Sequence, residues 1–354
     1  MATRPSPAPP SLATISARVE ARLAALLSDE VARWAALDPD LTEPLASLQA
    51  FVLGGGKRLR PAFCHWGFVG AGGNPDDPRI VDAGAAFELL QAFALVHDDV
   101  MDGSAVRRGT RTAHLAYADR HAAATWRGEV RRFGEGVAIL IGDLAHVYAD
   151  RLLPRANPDV QIVWDELRTE LNVGQYLDLV GTASGDVGLD TARRIARYKS
   201  GKYTIERPLH IGAALAGRLA DLQAPLSAYG DPLGEAFQLR DDLLGAFGEE
   251  ALTGKPVGDD LREGKPTPLL ALAIAAAHPA QAAVLTTIGR PDLDAAQIER
   301  LQAVLIETGA VAAVEASIDQ LTDEALAALA TAPIVPEAVD ALAALAAFVA
   351  WRDA

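Results

Sequence analysis

Between Leu12 and Leu37 the apolar residues Ile15, Val19, Leu23, Leu26, Val31 and Trp34 recur at the spacing of one face of an α-helix. Similar patterning continues along most of the chain. A second helix is expected to run to about Leu53 and stop at Gly54-Gly55-Gly56. A third is entered after Lys57-Arg58-Leu59-Arg60-Pro61 and passes through Cys64 and Trp66. Gly70 to Pro78 reads as a loop. Ile80 to Asp102 has one glycine, Gly84, and no proline, and its apolar density predicts a helix buried nearly all round. Further helices are expected over about 113–125, 135–153 and 160–180, on either side of Ser200-Gly201, and over 222–247, where Pro225 and Pro232 must sit in the first turns or split the helix. Breaks fall at a charged insert (127–134), at 154–158, at 183–188 and in a long loop (249–268). Three or four alanine-rich helices complete the chain. No stretch alternates as a strand would, and no fixed-period repeat occurs. The expectation is an all-α fold of about a dozen helices. It forms one domain over residues 12–354, behind a disordered proline-rich tail at 1–11.

Composition adds three constraints. Half of the 354 residues are hydrophobic, enough for a sizeable core. A net charge of -15 argues against nucleic acid as a partner. Any polyanionic ligand must then be held by local clusters or bridging cations. The single cysteine, Cys64, excludes an internal disulfide and fits a reducing cytoplasm. The N-terminus lacks the apolar core of a signal peptide. The longest uncharged run, between Lys265 and Arg290, is broken by His278-Pro279 and reads as a buried helix and turn, not a transmembrane segment.

The chemistry concentrates where apolar helices end. His97-Asp98-Asp99-Val100-Met101-Asp102 places three carboxylates within five residues, followed by Arg107-Arg108-Gly109. On a helix, Asp98 and Asp102 share one face, ~5–6 Å apart, with Asp99 turned aside. Acids are unfavourable beside the negative end of a helix dipole unless cations intervene. Hard oxygen ligands without cysteine favour Mg²⁺ over Zn²⁺. A second pair, Asp241-Asp242, follows Phe237-Gln238 late in another apolar helix, so two acid-bearing helices are expected to face across one cavity. Basic residues cluster to match: Lys57, Arg58 and Arg60; Arg107, Arg108 and Arg111; Lys199 and Lys202; Lys255 and Lys265. Such groups suit phosphate oxygens. Lys57 is followed by Arg58, not Ser or Thr, and no strand precedes it, so this is not a nucleotide P-loop.

From Leu53 to Leu270 these motifs, in this order, resemble the trans-isoprenyl diphosphate synthases, the polyprenyl synthetase family. Gly55-Gly56-Lys57-Arg58-Leu59-Arg60-Pro61 comes first, then Asp98 to Asp102 with Arg107-Arg108-Gly109, Gly174-Gln175-Tyr176-Leu177-Asp178, and Tyr198-Lys199-Ser200. Phe237-Gln238 with Asp241-Asp242 follows, continued by Gly254-Lys255 and Asp260 to Lys265. The resemblance implies the isoprenoid synthase fold, a helical bundle with a central cavity, and a homodimer. It implies three Mg²⁺ held by Asp98, Asp102, Asp178, Asp241 and Asp242, with Asp99 supporting. An allylic diphosphate would be clamped by Arg107, Lys199 and Lys255, and isopentenyl diphosphate by Lys57, Arg60, Arg108 and Gln91, with Arg58, Gln175 and Lys265 also binding substrate. Ser200, Gln238 and the Lys199 carbonyl would face the allylic cation. Phe93, Ala94 and Leu90 would set product length, in the manner of short-chain geranylgeranyl (C20) synthases, with farnesyl, C25 and longer products as alternatives. Gly245 stands where the family's second motif carries its last acid, leaving Asp259 or Asp260 to compensate. Three rivals compete: a metal phosphohydrolase suggested by His97-Asp98, a non-elongating cyclase-like member, and a regulatory subunit.

Overall fold

The computed structural model describes residues 7–185, 188–248 and 257–352. The helical spacing is realised as α1 (Pro10–Leu37), α2 (Thr42–Leu53), α3 (Leu59–Gly70), α4 (Pro78–Asp102), α5 (Ala113–Ala123), α6 (Val130–Leu152), α7 (Pro158–Ser184) and α8 (Leu189–Ala196). A π-helical segment (Arg197–Glu206) leads into α9 (Arg207–Leu215) and α10 (Leu219–Phe247). The chain continues with α11 (Asp259–Glu263), α12 (Pro268–Ala276), α13 (Pro279–Leu285), α14 (Ala295–Glu307), α15 (Ala310–Ala330) and α16 (Pro336–Ala350). Several helices open on a proline, whose fixed φ and missing N–H suit a first turn. Side-chain caps add to this: Asp77 accepts from the Arg79 amide, and Asn157 from the Val160 amide.

Helix α4 is the central element. Its length and apolarity would satisfy a membrane span, but most of it is buried inside the protein. Phe87, Leu89 and Leu90 are inaccessible, and the Phe87 ring meets Trp164 of α7 edge-on at 5.5 Å. This apolar cluster joins α1–α4, α6, α7, α9, the first part of α10 and α16. A second cluster unites the last part of α10 with α11–α15. Helix α10 thus belongs to both cores, and its acids emerge where the two meet.

The structure departs from the sequence reading in local ways. Pro10 starts α1 inside the expected tail, as a first-turn residue can. Pro225 and Pro232 both lie within an unbroken α10, where packing against the π segment and α15 offsets the lost N–H donors. Ser200-Gly201 is not a break but part of the π helix. Helix α6 begins earlier than expected, at Val130, and its first turns carry an Arg131–Glu135 pair at 2.5 Å. Val106–Arg107 and Thr110–Arg111 form a small antiparallel hairpin in what reads as a polar loop. Residues 249–256 of the expected loop over 249–268 lie outside the described residues, and the described part, 257–268, includes α11.

Candidate active site

The two acid-bearing helix ends open onto a cavity of about 710 Å³. One wall is α4, through Gln91, Leu95 and Asp98, which share a helical face. Opposite stand Phe237, Gln238, Asp241 and Asp242 of α10, while Lys199 and Ser200 of the π segment and Asp178 of α7 close one side. Lys57, Arg60 and Arg108 line the region near the Gly54–Gly56 loop.

Asp98, Asp102 and Asp178 offer carboxylate oxygens that all lie within 4.8 Å of one another. Asp102 Oδ2 is buried without a hydrogen-bond partner among the described residues. An all-oxygen group with an unsatisfied buried acceptor fits a hard divalent cation. The Lys199 ammonium donates to Asp98 Oδ1 at 2.9 Å and Asp178 Oδ2 at 2.5 Å. Gly174 makes this possible: a Cβ there would overlap the Lys199 backbone nitrogen, so only glycine lets α7 and the π segment approach closely enough. Arg107 Nη2 lies 2.6 Å from buried Asp99 and 3.4 Å from Asp98. Asp99 is therefore a positioning residue for Arg107, turned from the three-acid group. Lys265 reaches Glu263 at 2.7 Å, Asp260 at 3.7 Å and Asp102 at 3.8 Å.

These cations sort the acids. Burial alone would raise Asp98, but Lys199, Lys265 and Arg107 outweigh it and hold the carboxyl well below the usual range. Asp102 is pushed up to about 6, by burial first and then by Asp98, against the pull of Lys265 and Lys199. Asp242 is raised well above the ordinary value by burial, with Asp260 and Asp241 adding to it; Gln238 Nε2 donates to its Oδ1 at 2.7 Å.

Other expected site residues are engaged differently or sit elsewhere. Arg58 lines the cavity, but its guanidinium is committed to the protein: it donates to Glu88, to Glu20 at 3.2 Å and to the Val52 carbonyl at 2.8 Å, so its fork anchors the Gly54–Gly56 loop. Lys202 is taken by Glu170 at 2.7 Å, and Arg111 by Asp119. Gln175 lies off the cavity wall, its amide 3.8 Å from Met101 sulfur. Leu90 points into the core, and Phe93 and Ala94 do not line the cavity either, because Asp98 shares its helical face with Gln91 and Leu95. Phe93 instead packs between the rings of His97 and His146, at 4.6 and 4.8 Å. His97 is turned toward α6, with Nε2 3.0 Å from the Ile139 carbonyl, and no histidine joins the acid group among the described residues. That removes the basis of the phosphohydrolase reading. Lys255 lies outside the described residues.

One feature escapes the sequence, and a second decides between two residues that the sequence left open. Arg352 reaches the cavity from the far end of the chain and pairs with Asp241. The space left by Gly245 is filled, since a Cβ there would overlap Asp260 Oδ2. Asp260 thus supplies, from α11, a carboxylate beside Asp242 that α10 itself lacks.

Two outcomes follow from this geometry. A cation needs Asp102 without its proton, so Mn²⁺ affinity of the substrate-free protein should hold above about pH 7 and weaken as pH falls through about 6; an affinity unchanged down to about pH 5 would remove Asp102 from the ligand set. Asp260→Gly should weaken metal binding beside Asp242, and adding Gly245→Asp should restore most of it. Gly245→Asp alone crowds two carboxylates into one space and should cost about 1–3 kcal/mol in thermal unfolding. An Asp260→Gly variant with wild-type metal affinity would show that Asp260 serves only as a partner of Lys265.

Comparisons with known proteins agree with this arrangement. The Polyprenyl synthetase family matches residues 42–305, most of the chain. A Mycobacterium tuberculosis protein named geranylgeranyl diphosphate synthase is 30% identical over 317 residues, 84% of this chain and 85% of its own length. An Aeropyrum pernix geranylfarnesyl diphosphate synthase is 31% identical over 266 residues, covering 73% of this chain and 77% of that protein. The crystal structure of geranylgeranyl pyrophosphate synthase from Corynebacterium glutamicum, complexed with isoprenyl diphosphate and magnesium, superposes with a TM-score of 0.92 at 38% identity, over 96% of this chain and 99% of that one. Fold, motifs and relatives coincide: the chain belongs to the polyprenyl synthetase family.

Proposed function

We propose that this prenyltransferase joins isopentenyl diphosphate head to tail to an allylic diphosphate (dimethylallyl, geranyl or farnesyl), forming all-trans geranylgeranyl diphosphate and releasing diphosphate. The observation that carries the reading is the cavity itself. Two acid clusters and two sets of cations line one space of about 710 Å³, a geometry for two diphosphates and their metals. Asp98, Asp102 and Asp178 would hold Mg²⁺ on the allylic side, and Asp241 and Asp242 a third ion. Bound there, the metals would stabilise the negative charge that grows on the departing diphosphate. Arg107, Lys199 and Lys265 face the same group. Lys57, Arg60 and Arg108 would take the diphosphate of isopentenyl diphosphate, with Gln91 beside them.

The allylic C–O bond breaks with its electron pair going to diphosphate. The isopentenyl double bond attacks the cationic carbon, and the proton then lost goes to the released diphosphate, so no dedicated base is needed. Ser200, Gln238 and the Lys199 carbonyl supply dipoles in place of nucleophiles. The apolar wall of Leu95, Ile195 and Phe237 keeps water from the cation.

The relatives make products of different lengths, so product size is read from α4. Phe93 lies five residues before Asp98, about 7.5 Å along the helix, and with His146 fills the gap between α4 and α6. It lies beyond the lining of the diphosphate cavity, and we assign it as the floor at which a C20 tail growing on between α4 and α6 would stop. A farnesyl or C25 product is the alternative. The exposed apolar side chains Ile139, Leu140 and Val147 of α6 and Ile162, Val173 and Tyr176 of α7 suit a second copy of the chain, giving a homodimer. Buried Cys64 suits the cytoplasm as the setting.

Purified protein with Mg²⁺, isopentenyl diphosphate and each allylic starter should yield C20 products, and chelation should stop turnover. Hydrocarbon released without elongation would favour a cyclase. Phe93→Ala should lengthen the products; an unchanged profile would sink the floor assignment. Sedimentation should show a dimer that Leu140→Glu with Val147→Glu converts to monomer, whereas a monomeric wild type would refute the interface.

A further inference from the structure

Lys199 and Ser200 reach the cavity from a π-helical segment, in which amides bond to carbonyls five residues back. This winding is rare beside the α-helix, so contacts outside the segment must favour it here. Its neighbours make room: Gly234 of α10 faces Gly201, where a Cβ on either would meet the other's backbone at 2.8 or 3.0 Å. Room permits the wide turn but does not select it. A carboxylate of α7 does more. Glu170 Oε1 accepts from Lys202 Nζ and from Arg207 Nη2, each at 2.7 Å, and Oε2 accepts from Arg207 Nε at 2.7 Å. All three side chains are largely buried. Burial alone would raise the Glu170 carboxyl, but Arg207 and Lys202 hold it below its ordinary value.

The two cations stand five residues apart, and the Arg207 amide donates to the Lys202 carbonyl. That bond is itself the π bond, and it brings both side chains to one face. On an α-helix, residues five apart point about 140° away from each other, so a carboxylate facing one is turned from the other. Without Glu170, Lys202 keeps Glu206 at 3.6 Å and Arg207 keeps Glu166 at 2.9 Å, and the repulsion between the two cations favours the winding that separates them. Helix α9 beyond Arg207 is fixed in the core, with Leu209 and Ile211 inaccessible. Rewinding would therefore turn the other side of the segment, Lys199 and Ser200 included, by one residue step of about 100°. We infer that Glu170 is a positioning residue: by gripping Lys202 and Arg207 together it keeps the π winding, and through it sets Lys199 and Ser200 at the cavity. Glu170 itself does not line that cavity. The catalytic consequence rests on the reaction proposed above, whereas the winding does not.

The test compares full-length wild type, Glu170→Ala, Glu170→Gln and Glu166→Gln. Crystal structures read which carbonyl receives the Arg207 amide, and steady-state kinetics with Mg²⁺ and both substrates read the consequence. In wild type the acceptor should be Lys202; in Glu170→Ala it should become Tyr203, four residues back as in an α-helix. In that variant kcat should fall about 10- to 100-fold and KM for the allylic diphosphate should rise, while KM for isopentenyl diphosphate stays within about twofold. Glu170→Gln keeps the shape and one acceptor oxygen. It should show the same split with a smaller fall in kcat, and it carries the test if the alanine variant does not fold. Glu166→Gln takes a partner from Arg207 alone and should keep both winding and kinetics. An Arg207 amide that stays on Lys202 in Glu170→Ala, or a Glu170→Gln enzyme with wild-type kinetics, would overturn the inference. So would a Glu166→Gln enzyme as impaired as Glu170→Gln, since general loss of charge would then explain both. If wild type does not elongate at all, the proposed reaction falls, and the crystal structures still decide whether Glu170 holds the winding.

Discussion

Carboxylates crowded into a space poor in water repel one another, and that repulsion governs this molecule. Asp98, Asp102 and Asp178 stand together, with Asp242 and Asp260 across the cavity. Their charge is balanced by the protein's own cations: Lys199 between Asp98 and Asp178, Arg107 on Asp99, Lys265 on Glu263 and Asp260, and Arg352 on Asp241. The same cations suit a diphosphate. In the proposed reaction, metals take the acids and the released cations take the phosphates, so one set of side chains serves two states without leaving a buried charge unpaired.

Placing those charges is the task of the apolar framework. Helix α4 is locked on nearly all sides, so the direction of Asp98 is set by the packing of Phe87, Leu89 and Leu90 further up the helix. The π segment carries Lys199 to α7 at a separation that a side chain at position 174 would forbid. Helix α10 passes from one core cluster into the other and carries its acids at the boundary. Buried tertiary contact keeps it continuous where two prolines argue otherwise.

Much of this was legible in the sequence because it depends on periodicity and local order. Helical spacing gave the all-α class, and the positions of Asp98 and Asp102 one turn apart put both on one face. What stayed hidden depends on contacts between distant segments. Arg58 looks like its basic neighbours Lys57 and Arg60, yet Glu88, thirty residues away, claims it. Arg352 shows no signal beyond being a lone base near the chain's end, because its partner lies 111 residues earlier. For the acid missing at Gly245 the sequence offers Asp259 and Asp260 alike, and only the fold shows Asp260 in the vacated space. Phe93 can be placed along α4 by counting, but its contact with His146 belongs to α6.

The apolarity that makes α4 a rigid core helix has a cost during synthesis. It emerges from the ribosome before α6 and α7, two of the helices that cover it. At ~5–20 residues per second, the fifty residues from the end of α4 to the end of α6 take about 3–10 s to make. For that interval the nascent chain presents a helix with the composition of a membrane segment and an incomplete core to bury it in. The segment that orients the first acid cluster is thus also one that stays partly uncovered until its later neighbours are made.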